Sequence, residues 1–174
     1  MDQLGLDFAV EASSFEEKDE HLTPEELAAH NAIGKARQIA KKHRDALVIG
    51  VDTVVAFQSL QINKPRNKKD AERILKVLSG RTHKVFSAVC VIDTKTNNEV
   101  HGVQETLVTM KKMTEKEIEN YIATGEGSDK AGSYAIQGKA ALFIKRIEGD
   151  YFNVVGLPVF LLGKLMKKLD KELI

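Results

Sequence analysis

Ala46-Leu47-Val48-Ile49-Gly50-Val51-Asp52-Thr53-Val54-Val55-Ala56-Phe57 is the stretch on which the fold turns. Two short apolar runs, rich in β-branched residues, flank one acid and one hydroxyl, and this reads as a strand buried on both faces. A carboxylate set between such runs costs free energy unless it has a partner or a purpose. Two purposes suit Asp52 at the carboxyl end of a strand: holding a divalent cation against phosphate oxygens, or taking a proton from an attacking water. The alternative is structural, an acid that caps a turn together with Thr53.

Upstream, Thr23-Pro24-Glu25-Glu26 offers an N-cap hydroxyl, a proline for the first helical position and acids that suit the helix dipole. The spacing of Leu27, Ala28, Ile33, Ala36, Ile39 and Ala40 predicts a helix to about His43 with one buried face. Lys35 falls near that face, where its ammonium either reaches an anion or snorkels past apolar neighbours.

Downstream, Asn63-Lys64-Pro65-Arg66-Asn67 reads as a loop. Its proline sets the direction of Lys64, which either meets an anion at small entropy cost or stays solvated. A helix is predicted over 68–78, closed by Ser79-Gly80. The run Ser79-Gly80-Arg81-Thr82-His83 suits phosphate contact or capping of the last helical carbonyls. Residues 84–93 and 99–110 read as an antiparallel hairpin, and Thr114 with Glu117 forms a capping box for a helix to about Ala123.

The small-residue run from Lys130 to Gly138 would let backbone approach a ligand closely, with Tyr134 and Gln137 in reach of a base; a glycine-rich turn packed on the sheet is the other reading. Residues 142–147 and 151–155 read as two further strands turned by Glu148-Gly149-Asp150. A last amphipathic helix opens near Pro158.

At 174 residues, 43% hydrophobic and 29% charged, the chain is expected to form one domain over 1–174. A net charge of +1 provides no global field for nucleic acid or an anionic membrane, so neither is an expected partner. The single cysteine, Cys90, lies in an apolar run and reads as a core thiol. No apolar run is of membrane-spanning length and no secretion signal is recognised, which points to the cytoplasm. His21, His30, His43 and His101 show no zinc-ligand spacing.

Taken in order, seven blocks resemble the Maf family of nucleotide pyrophosphatases from about Leu4 to Leu165. They are Glu16-Glu17, Lys35-Ala36, Ile49 to Val55, Lys64-Pro65, Leu78 to His83, Asp129 to Gly138, and Asn153 to Pro158. The resemblance implies a mixed α+β fold of the α/β class, a twisted mixed sheet flanked by helices, related to the inosine triphosphatases. It implies hydrolysis of a nucleoside triphosphate to monophosphate and pyrophosphate, with magnesium, or manganese in its place, and a homodimer. On that footing Asp52 is the base or metal-organising acid with Glu17 assisting, and Lys35 and Lys64 hold phosphates. Thr53, Arg81, Lys130 and Gln137 are the further candidates for substrate contact.

The form Lys130-Ala131-Gly132-Ser133-Tyr134-Ala135-Ile136-Gln137-Gly138 resembles the branch acting on dTTP and UTP. The family's opening Ser-x-Ser-Pro-Arg-Arg loop has no counterpart, since Met1 to Gly5 resembles the end of the helix that follows it. The expectation is therefore an N-terminally truncated domain. A catalytically impaired nucleotide-binding or scaffold isoform is the rival reading.

Overall fold

A computed structural model describes residues 1, 5–17, 21–58 and 60–173. The decisive stretch forms β1 (Leu47–Phe57), whose side chains alternate as a strand's must. Val48, Val54 and Ala56 face one way and Ile49, Val51 and Val55 the other, so each face joins a different apolar cluster.

The first face is covered by α1 (Pro24–Ala40). Its start is fixed by the expected chemistry: Thr23 Oγ1 accepts from the Glu26 N–H, and the Glu26 carboxylate accepts from the Thr23 N–H at 2.9 Å. Leu27, Ala28, Ala32 and Ala36 pack this helix on the sheet. Gly50 lets it come close, because a Cβ there would lie 2.4 Å from the Ala32 carbonyl oxygen. The approach brings the next turn of α1 over Asp52.

The remaining strands and α-helices are β2 (Leu60–Ile62), α2 (Lys68–Leu78), β3 (Thr82–Asp93), β4 (Asn98–Met110), α3 (Glu115–Ala123), β5 (Ile144–Glu148), α4 (Tyr151–Val155) and α5 (Val159–Lys167). The strands form one sheet in the order β2-β1-β3-β4-β5. The α/β class and the helix-flanked sheet stand as expected; within the described residues every pairing is antiparallel. β3 runs along β1 from Ala56 to Leu47, whereas β2 pairs only with Val55, Ala56 and Phe57. Among the described residues, the edge of β1 from Leu47 to Val54 therefore has no strand partner on the side away from β3.

Two elements differ from the sequence reading: β2 was not read from it, and a second changes type. Residues 151–155 form the short helix α4, not a strand. Asp150 caps it by accepting the Phe152 N–H at 2.8 Å, and Gly156, at φ 118°, ends it in a conformation that costs glycine little. Tertiary bonds made by Asn153, described below, decide between helix and strand here. Cys90 is buried as expected, and burial pushes its thiol up to about 12. Among the described residues, no helix is long and apolar enough to cross a membrane.

Candidate active site

A cleft of about 570 Å³ lies at the unpaired edge of β1, a size suited to a small-molecule ligand. Asp52 and Thr53, being consecutive in a strand, point to opposite faces of the sheet, yet both line it. The cleft thus wraps around the strand edge, with a wall on each face.

On the α1 side, Asp52 Oδ1 accepts from Lys35 Nζ at 2.5 Å and Asp52 Oδ2 from Asn31 Nδ2 at 3.2 Å. Asn31 and Lys35 stand four residues apart and so share a helix face. Lys35 Nζ also reaches Glu17 Oε1 at 2.6 Å, joining two carboxylates through one ammonium. Burial alone would lower the Lys35 pKa, but the hydrogen bonds and charges of Asp52 and Glu17 outweigh it and raise it, so the lysine is held as a cation. Glu17 belongs to a stretch without regular structure that is pinned to α1. The Phe15 ring occupies the space above Gly34, where a Cβ would come within 2.3 Å of it, and Ser13 Oγ donates to Gln38 Oε1 at 2.5 Å.

On the other side stand Lys64, Asp129 and Lys130. Lys130 Nζ bonds Asp129 Oδ2 at 2.8 Å, and this bond, with the Lys130 and Lys64 charges, holds the Asp129 carboxyl below its ordinary range. Among the described residues the lining carries three lysines against three carboxylates, Glu17, Asp52 and Asp129. With no net charge of its own, the cleft attracts a polyphosphate best when a cation comes with it.

The donors suit a hard cation. Glu17 and Asp52 offer carboxylate oxygens, and the buried Asn31 Oδ1 has no hydrogen-bond partner. Among the described residues no three His, Cys, Asp or Glu side chains converge. That pattern fits an ion held by one or two carboxylates and completed by phosphate and water, as magnesium usually is.

Thr53 Oγ1 lies 2.8 Å from Ser87 Oγ on β3, and Ser87 Oγ donates to the Asn153 carbonyl at 2.8 Å. Asn153, fully buried, accepts the Ser87 N–H at 3.1 Å through Oδ1 and donates through Nδ2 to the Val85 carbonyl at 3.0 Å and Thr106 Oγ1 at 2.9 Å. Asn31, Ser87 and Asn153 were not among the candidates read from sequence. Signals existed for two of them: an asparagine one turn before Lys35 on a helix otherwise apolar there, and a lone serine within the run 85–92.

Six of the eight candidates line this cleft: Asp52, Glu17, Lys35, Lys64, Thr53 and Lys130. Arg81 and Gln137 do not. Arg81 donates to the Val77 carbonyl at 2.9 Å, capping α2, and lies over the Phe57 ring. Gln137 is exposed outside the lining. Tyr134 does line the cleft, but its hydroxyl is engaged by His83 Nε2 at 2.8 Å.

His83 is buried, and desolvation lowers its pKa to about 4. The unfolded chain binds this proton near pH 6.5 while the folded one does so only near 4, so stability falls as pH drops through that window. Going from pH 7 to 5 is expected to cost about 2 kcal/mol through this residue. Urea unfolding at both pH values checks it: the pH 5 loss should shrink in a His83→Gln variant, and an equal loss in both proteins contradicts the assignment.

A family profile described as Maf-like protein matches residues 1–169. Similar proteins include the dTTP/UTP pyrophosphatase of Dictyoglomus thermophilum, 46% identical over 98% of this chain and 90% of the relative. Those of Methanosarcina barkeri and Alkaliphilus metalliredigens are 43% and 48% identical, over 95% and 88% of this chain and 84% and 79% of the relatives. With a profile spanning nearly its whole length and relatives at 43%, 46% and 48% identity, the chain belongs to the Maf-like protein family.

Proposed function

We propose that this chain is a nucleoside triphosphate pyrophosphatase that hydrolyses dTTP and UTP to the monophosphate and pyrophosphate. The observation that carries the reading is the Asp52–Lys35–Glu17 constellation lining a ligand-sized cleft. The names of the relatives support the substrate class.

Water attacking a phosphoryl group needs alignment, a proton acceptor and compensation of the developing charge. Asp52 takes the water proton, and Lys35 with Asn31 holds its two oxygens in a fixed direction. Lys64 and Lys130 receive phosphate oxygens across the cleft, the latter by exchanging its bond to Asp129. Glu17 and Asp52 would hold a divalent cation, magnesium by the hardness of the donors, which supplies charge neutralisation on the phosphate oxygens when bound. The compartment is the cytoplasm, a reading supported by the lone buried thiol of Cys90.

The test incubates the chain with dTTP, UTP, CTP, ATP and GTP, each with magnesium, and measures pyrophosphate. Release from dTTP and UTP ahead of the purine nucleotides is expected. Release of orthophosphate alone, or no release from any of the five, refutes the proposal.

A further inference from the structure

The hydrogen-bond chain behind Thr53 has a direction. A carbonyl can only accept, so the single hydroxyl hydrogen of Ser87 is committed to the Asn153 carbonyl. Ser87 Oγ can then only accept from Thr53, and the Thr53 hydroxyl must donate into the protein. Ser87 is fully buried, so no solvent competes for either bond.

The amide of Asn153 is oriented in the same way. Its Oδ1 faces the Ser87 N–H and its Nδ2 faces the Val85 carbonyl, and a flipped amide would oppose donor to donor and acceptor to acceptor. Thr106, which receives the second Nδ2 hydrogen, in turn donates to the Asp150 carbonyl. Every hydrogen in the network is thus assigned.

We infer that Ser87 is a positioning residue that makes Thr53 an obligate hydrogen-bond acceptor toward the cleft, and that this acceptor selects bases carrying a ring N–H, the pyrimidine-2,4-diones, over cytosine. The cleft lining includes the apolar Val55, Ala131, Val154 and Val155 beside Lys64, Asp129 and Lys130, and the apolar part suits the ring of a base. Gly156 lies beside the Thr53 hydroxyl, since a Cβ there would meet Thr53 Oγ1 at 3.6 Å, an ordinary contact. Uracil and thymine present N3–H to an acceptor. Cytosine presents an N3 lone pair at that position, and two acceptors repel.

The inference rests on the pyrophosphatase reading for the class of ligand, and its test has an arm that does not need turnover. Affinities of UMP and CMP are measured by calorimetry, alongside kcat/KM for UTP and CTP, in wild type and in Ser87→Ala, Thr53→Val and Thr53→Ser. In Ser87→Ala the Thr53 hydroxyl is free to rotate and donate, so the uridine-over-cytidine ratio should fall about tenfold. Thr53→Val should lose the preference as well, and Thr53→Ser should keep it. A merely structural role for Ser87 would lower both nucleotides together and leave the ratio unchanged.

Wild type with no preference, or Ser87→Ala and Thr53→Val both natively folded by circular dichroism with the wild-type ratio, overturns the inference. Preference for UMP that collapses in Ser87→Ala, without any pyrophosphate release by wild type, sinks the hydrolase reading and sustains this one.

Discussion

Asp52→Asn should lower kcat for pyrophosphate release from dTTP and UTP by about three orders of magnitude, within the range that loss of a positioned general base produces. The substitution keeps the shape of the side chain and removes its charge and its ability to take a proton. It also turns one NH₂ group toward a donor, since Lys35 Nζ and Asn31 Nδ2 each donate to a different carboxylate oxygen. Lys35 keeps Glu17 as an ion-pair partner, so the helix stays where it is. Steady-state kinetics with magnesium present, plus nucleotide affinity by calorimetry, separates loss of chemistry from loss of binding. Turnover within tenfold of wild type removes Asp52 from its proposed role.

Asn153→Ala is expected to cost about 3–5 kcal/mol of folding stability. Asn153 occupies bonding positions along β3, taking the Ser87 N–H and giving to the Val85 carbonyl from a fully buried position. Alanine removes these bonds from a site water cannot reach, and each buried polar group left short of a partner costs about 1–3 kcal/mol. Thr106 suffers less, because it still exchanges hydrogen bonds with the Asp150 backbone in both directions. Urea unfolding at pH 7 measures the loss, and a change under about 1 kcal/mol would show that β3 and α4 can re-pair without the amide.

The strand of Asp52, the caps of α1 and α3 and the β3–β4 hairpin were legible because each depends on residues within a few positions. Thr23 with Glu26, and Thr114 with Glu117, bond across one helical turn, and the structure shows both boxes. Residues 151–155 were not legible. Tyr151, Phe152, Val154 and Val155 carry strand character locally, and what makes α4 a helix is Asn153 reaching residues about seventy positions away on β3.

The cleft divides in the same manner. An acid between apolar runs marked Asp52, and lysines in suggestive places marked Lys35 and Lys64, all of which line it. Arg81 was ambiguous between phosphate contact and capping, and its local bond to the Val77 carbonyl, with the tertiary contact to the Phe57 ring, resolves it toward capping. Ser87 looks like an incidental hydroxyl in an apolar run; its meaning lies in Thr53 on one side and Asn153 on the other, neither adjacent in sequence.

The two carboxylates joined by Lys35 stand on supports of very different strength. Asp52 sits in a strand bonded to β3 along nearly its whole length, so displacing it requires something close to global unfolding. Glu17 sits in a stretch without regular structure, fastened through Phe15 over Gly34, Ser13 to Gln38, and Lys35 itself. Detaching it breaks those contacts and leaves the sheet intact, a local opening whose free energy is a fraction of the whole. One acid of the pair can therefore withdraw and return on the timescale of a loop while the other stays fixed, and nucleotide bound between them would slow that exchange by adding a bridge the empty cleft lacks.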